Sequence, residues 1–83
     1  MCFHVYILYS KSIDQYYIGH SIDINDRLFR HNNSGSKATK KASDWKIVYK
    51  EEFPNRIDAY RREMEIKKKK SRKYIELLIE TLG

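Results

Sequence analysis

The sequence predicts an α+β fold, a three-stranded antiparallel sheet flanked by about three helices in the order ββαβαα. Two apolar runs rich in β-branched and aromatic residues, His4 to Leu8 and Tyr16 to Gly19, flank the polar, turn-prone stretch Ser10 to Gln15 and read as a β-hairpin. Further along, Trp45 to Phe53 alternates in hydropathy as a half-buried strand does. The stretches between and after these strands carry apolar residues at helical spacing, each preceded by a capping residue.

The hairpin covers about Phe3 to Ser21. If its strands pair with Tyr6 opposite Tyr17, both phenols lie on one face of the sheet, and a register slip of one residue would separate them. Ser21 or Asp23 caps a first helix running to about Asn33, where Asn32 to Gly35 forms a stop signal. At 100° per residue, Ile24, Arg27, Leu28 and His31 share one face of this helix. An arginine and a histidine among core-facing positions either snorkel to the rim or point into a polar pocket.

Ser36 to Ser43 reads as a polar, basic loop. In the third strand, Trp45, Ile47, Tyr49 and Phe53 share one parity, and Lys46, Lys50 and Glu52 the other, with Val48 interrupting the polar side. Pro54 ends that strand. Asn55, with Asp58 three residues later, starts a helix of about Arg56 to Lys69, whose apolar arc is Ile57, Ala59, Tyr60, Met64 and Ile66. Glu63 projects from that arc. A carboxylate facing a core costs several kcal/mol unless it is paired or ligates a cation, so Lys67, four residues on, and a metal ion are the alternative partners. Ser71 caps a last helix, Arg72 to about Leu82, with an apolar stripe of Tyr74, Ile75, Leu78, Ile79 and Leu82.

Eighty-three residues make one domain, near the lower size for a core without staples. The single cysteine, Cys2, forms no internal disulfide, and His4, His20 and His31 have no zinc-ligand spacing with it. A reducing compartment, the cytoplasm, is therefore expected. No apolar run approaches the ~18 residues of a membrane span, and no targeting segment is evident at the N-terminus. The net charge of +6 is clustered: eight of the seventeen cations fall between Arg61 and Lys73, and Lys37, Lys40 and Lys41 form a second group. Clustered cations beside aromatics point to a polyanion, nucleic acid before membrane, although lysines at a helix C-terminus also favour the helix dipole.

Phosphodiester hydrolysis needs an oriented, partly deprotonated water, a cation for the phosphoryl oxygens and help for the leaving oxygen. Glu63 with a divalent ion, Arg27, and a phenol or imidazole near the water supply such a set. One carboxylate implies one metal whose shell is mostly water and phosphate, which suits Mg²⁺.

On these residues the chain resembles the GIY-YIG nuclease superfamily, in particular small stand-alone bacterial members similar to the N-terminal nuclease domain of the excision-repair incision subunit. The first motif stands as His4-Val5-Tyr6 and the second as Tyr17-Ile18-Gly19, with Arg27 eight residues after Gly19. The resemblance runs from about Phe3 to Leu82 and includes Asn32, Trp45 and Glu51-Glu52-Phe53. It implies that Tyr6 and Tyr17 orient or deprotonate the water and that Arg27 stabilises the transition state. It further implies that His31 assists near the scissile phosphate, that Glu63 holds Mg²⁺ or Mn²⁺, and that Gly19 lets the backbone approach closely. The first motif carries His4 where the family name has glycine, and no asparagine follows Asn55, although many members have one late in the domain.

The implied function is a metal-dependent DNA endonuclease in repair or recombination, with a protein partner as a source of substrate specificity. DNA docking falls to Lys37, Lys40, Lys41, Lys67, Lys68, Lys69, Lys70, Arg72 and Lys73. The alternative is a nucleic-acid-binding module of the same fold without useful turnover. Binding alone needs cations and aromatics but no inward carboxylate.

Overall fold

A computed structural model describes residues 2–33 and 39–82. The elements are β1 (Phe3–Ser10), β2 (Gln15–Ser21), α1 (Ile24–Asn32), β3 (Lys46–Phe53), α2 (Arg56–Lys69) and α3 (Arg72–Leu82), which is the expected ββαβαα order. The three strands form one antiparallel sheet in the order β2-β1-β3, leaving β2 and β3 as its edges.

Register in the hairpin differs from the simplest expectation, because Tyr6 pairs with Gly19 and Leu8 with Tyr17. The offset from a Tyr6–Tyr17 pairing is an even number of residues, so the two phenols stay on one face. Side chains of Tyr6, Leu8 and Tyr17 point to that face, and Val5, Ile7 and Ile18 to the other.

Each face has its own apolar cluster. On one, Val5, Ile7, Ile18 and Tyr49 pack against Ala59 and Ile66 of α2 and Tyr74, Ile75, Leu78 and Ile79 of α3. On the other, Tyr6, Leu8 and Trp45 pack with Ile24 and Leu28 of α1 and with Ile47.

β3 serves both clusters, and this corrects the single-faced strand expected from its alternation. Ile7 pairs with Tyr49 but Leu8 pairs with Ile47, so Val48 is an extra residue in a β-bulge. Before the bulge, Trp45 and Ile47 face the α1 side; after it, Tyr49 and Phe53 face α2 and α3. Val48, which interrupted the polar parity in the sequence, is the residue that exchanges the faces.

Caps set the helix boundaries. The Asp23 carboxylate accepts the Asp26 N–H at 3.0 Å, Asn55 Oδ1 accepts the Asp58 N–H at 2.9 Å, and Ser71 Oγ accepts the Tyr74 N–H at 3.1 Å. α2 ends at Lys70, whose φ of 48° is left-handed and whose N–H reaches the carbonyl of Lys67. Arg72 then ties α3 to the hairpin turn, with its Nη2 2.5 Å from Asp14 Oδ1 and its guanidinium over the Tyr16 ring.

α1 is tied to the start of β3 through Asn32, which accepts the Trp45 N–H at 2.7 Å and donates to the Trp45 carbonyl at 2.9 Å. Asn32→Ala would leave both backbone groups of the buried Trp45 without these partners. The expected cost is about 2 kcal/mol, read as a lower urea midpoint at unchanged m-value.

Candidate active site at the edge of β2

A pocket of about 550 Å³ takes residues from both faces of the sheet around the free edge of β2. Tyr6, Tyr17, Gly19, Arg27, His31 and Glu63, six residues singled out in the sequence, all line it. The pocket also includes His20, Arg30 and Arg56, which the sequence reading did not select.

The tyrosine wall is built by the hairpin. Tyr6 lies directly across from Gly19, and a Cβ on Gly19 would sit 2.7 Å from Tyr6 Oη and 2.8 Å from its Cζ. The position is glycine because the Tyr6 ring occupies the space above it, a close approach made by a side chain where the motif had suggested backbone. Tyr6 and Tyr17 have ring centroids 6.5 Å apart, and Tyr17 lies 4.7 Å from the imidazole of His31.

α1 supplies the second wall. Ile24 and Leu28 bury its core side, which turns Arg27 and His31 into the pocket and resolves the choice between rim and polar pocket that the sequence left open. His31 is 4% exposed, with Nε2 3.0 Å from Tyr6 Oη and Nδ1 2.8 Å from Thr39 Oγ1. Desolvation, reinforced by Arg27, holds the imidazole below its ordinary value near 6.5 and so favours its neutral form. Burial also pushes the Tyr6 hydroxyl well above the usual phenol range, with Tyr17 adding to the shift against the opposing charge of Arg27.

α2 supplies the third wall, from the opposite face of the sheet. Glu63 is 7% exposed, and its two oxygens face His20 Nδ1 at 2.5 Å and Lys67 Nζ at 2.6 Å. Lys67 was one of the two alternative partners expected from the sequence, beside a metal ion, and His20 was neither. His20 shares the parity of Ile18 on β2 and therefore points toward α2, a signal that strand alternation contained. Lys67 also leans over the Tyr17 ring at 6.0 Å, so α2 reaches past the β2 edge to the tyrosine side.

The other basic residues lie outside this pocket. Arg72 is engaged with Asp14 and Glu76, and Lys69 sits over the Tyr74 ring. Among the described residues, Lys40, Lys41, Lys68, Lys70 and Lys73 are exposed or half-exposed without an ion-pair partner. Lys37 lies outside the described residues.

The arrangement therefore combines two phenols, two imidazoles, three guanidiniums and one carboxylate around a solvent-open pocket. Residues 2–75 match the GIY-YIG catalytic domain, and the chain belongs to that family. Within it, a UPF0213 protein of Staphylococcus saprophyticus is 36% identical over 78 residues, covering 93% of this chain and 94% of the relative. A UPF0213 protein of Staphylococcus epidermidis is 40% identical over 52 residues, 61% of this chain and 63% of its own. The solution structure of a UPF0213 protein from Bacillus halodurans superposes with a TM-score of 0.61 at 32% identity, covering all of this chain and 87% of that one.

The depressed basicity of His31 links site and stability. The unfolded chain takes up a proton at this residue at higher pH than the folded chain, so stability falls as pH drops through the unfolded value and levels off below the folded one. The unfolding free energy of wild type minus that of His31→Gln should thus decline between about pH 7.5 and pH 5. Urea melts across that range check it, and a flat difference would show that His31 charges as readily folded as unfolded.

Proposed function

We propose that this protein is a metal-dependent endonuclease that hydrolyses a DNA phosphodiester. Membership of a nuclease domain family supports the class of activity. The observation that carries the reading is the convergence of Tyr6, Tyr17, Arg27, His31 and Glu63 on one pocket. No helix among the described residues is long and apolar enough to cross a membrane, which is compatible with a polyanionic substrate in solution.

In this reading Arg27 and Arg30 hold the scissile phosphate and balance the charge that accumulates on its oxygens. Tyr17, its ring tilted against that of His31, orients the attacking water. Tyr6 is too poor an acid to ionise alone, so its hydroxyl works with the imidazole it touches: as the water gives a proton to Tyr6 Oη, Tyr6 passes its own to His31 Nε2. The hydroxide so formed attacks phosphorus, the P–O bond to the leaving strand breaks, and that oxygen takes a proton from solvent.

Nucleases of this family are generally divalent-metal dependent. The fit to this pocket rests on Glu63. Its carboxylate has about four lone-pair positions, and His20 and Lys67 take one on each oxygen. Lys67 is 42% exposed and can swing away as a cation arrives. A single carboxylate with open pocket volume beside it suits Mg²⁺ or Mn²⁺, ions that keep most of their water and share phosphate oxygens. When bound there, the ion supplies positive charge at the phosphoryl oxygens and at the leaving group.

Glu63→Gln keeps the shape and removes the charge. The expected outcome is loss of Mg²⁺-dependent cleavage across a panel of linear, nicked, flapped and branched DNA of the kinds met in repair and recombination, together with loss of any Mg²⁺-induced rise in Tm. DNA affinity should stay within about twofold. Cleavage by this variant at the wild-type rate would refute the assignment. Absence of cleavage by the wild-type chain, with and without Mg²⁺, would favour the binding-module alternative.

We assign DNA docking to the basic residues Lys40, Lys41 and Lys67 to Lys73, which act through phosphate contacts and carry little sequence information. A partner protein would then supply the substrate specificity that so small a surface lacks. Replacing Lys68, Lys69 and Lys70 with Ala should lower the slope of log K against log salt by roughly 0.9 for each phosphate contact removed. An unchanged slope in a binding titration removes the cluster from the interface.

A further inference from the structure

Four residues of α2 line up along the edge of β2. At 100° per residue, Arg56, Tyr60, Glu63 and Lys67 fall within about 60° of one another around the helix. Their contacts follow the strand in order. Lys67 leans over the Tyr17 ring, Glu63 meets His20 Nδ1, Tyr60 meets the His20 ring edge-on at 5.9 Å, and the Arg56 guanidinium lies over the Phe3 ring at 5.3 Å. Phe3 adjoins the far end of β2, because the next residue of β1, His4, pairs with Ser21. The pocket follows this stripe past Glu63 and His20 to Ser21, Phe3 and Arg56.

That far end carries an unmatched charge. Of the three arginines that line the pocket, Arg30 is paired with Asp26 at 3.0 Å, whereas Arg27 and Arg56 have no ion-pair partner among the described residues. Arg56 is exposed and stands in the first turn of α2, where the helix dipole disfavours a cation, so the helix itself gives no reason for it. The Phe3 ring beneath restricts the side chain through its face and leaves the in-plane fork of N–H donors open. Such a fork matches phosphate oxygens.

The spacing is that of one nucleotide. From Gly19, beside the Tyr6 hydroxyl, to Ser21, next to Phe3 across the hairpin, β2 advances two residues, about 7 Å. Successive phosphates of an extended nucleic-acid strand are separated by a similar distance. Half-exposed Tyr60 lies between Glu63 and Arg56 on the stripe and gives the sugar between them an uncharged floor.

We propose that Arg56, laid on Phe3, holds the phosphate one nucleotide away from the one that Arg27 engages, making the pocket a two-phosphate subsite for a backbone that runs along the β2 edge. Its part in turnover rests on the nuclease reading above, whereas the binding of two phosphates does not. Arg56 touches the neighbouring phosphate and not the reacting atoms, so it acts on affinity.

Thymidine phosphorylated on both sugar hydroxyls carries two phosphates at this spacing, and the two thymidine monophosphates carry one each. In NMR titrations with Mg²⁺ present, the wild type should bind the bisphosphate at least about tenfold more tightly than either monophosphate. Arg56→Ala should shrink that gain to about twofold, and Arg56→Lys should keep part of it. Lys46→Ala, which removes an equal charge from exposed β3, should leave the gain intact. On a DNA substrate that the wild type cleaves, Arg56→Ala should raise KM about fivefold with kcat within about twofold. A wild type that gains nothing from the second phosphate overturns the proposal, as does a folded Arg56→Ala protein with the full gain or an equal loss in Lys46→Ala. Should Arg56→Ala fail to fold, Arg56→Gln carries the same comparison. A gain that depends on Arg56, in a wild type that cleaves no DNA, would sink the nuclease reading and uphold the subsite. Cleavage by the wild type beside an undiminished gain in Arg56→Ala would do the reverse.

Discussion

The site depends on the ring of Tyr6 lying across Gly19. A strand residue normally projects away from the sheet, and its cross-strand neighbour fills the adjoining space. Here the neighbour has no side chain, so the phenol settles against the edge strand and brings its oxygen to His31. That contact orders the rest of the tyrosine side, because His31 is in turn fixed by Thr39, and Thr39 by Trp45. A chain of neutral, buried hydrogen bonds thus runs from the pocket to the start of β3. Such a chain is rigid because each member left unpaired would bear its full desolvation cost.

Much of this was legible in the residues. Strand parity placed Tyr6 and Tyr17 together even though their register was not foreseen, since any even offset preserves the face. Capping chemistry placed the start of α2 at Asn55 and that of α3 at Ser71, because few residue types satisfy orphan N–H groups. The bulge at Val48 was not legible: alternation alone assumes unbroken pleating, and one extra residue exchanges the two faces. His20 was overlooked for a different reason, since a histidine after the second motif reads as polar edge until α2 is known to pass above it. Arg30, Arg56 and Thr39 needed the packing of separate elements before their roles had any meaning.

The placement of the pocket answers a problem of size. A small domain has little interior to spare, and a polar site sunk into either apolar cluster would remove a large share of it. Wrapping the site around an edge strand draws on both faces while leaving Val5, Ile7 and Ile18 to the core. The polar groups also divide between the two faces: Glu63 with its partners His20 and Lys67 lies on the α2 side, and Tyr6, His31 and Thr39 lie on the α1 side, with Gly19 between them. Arg27 belongs to the α1 side by position and disfavours a second positive charge on His31.

Committing the β2 edge to the pocket leaves β3 as the other open strand of the sheet, the position where neighbouring molecules could add a strand of their own. The bulge at Val48 changes meaning in that light. Besides exchanging faces, it bends the strand and breaks the even spacing of its free N–H and C=O groups, with the exposed charges of Lys46, Lys50 and Glu52 on either side. An incoming strand would meet a kinked and charged template, so β3 resists runaway association between copies of the chain.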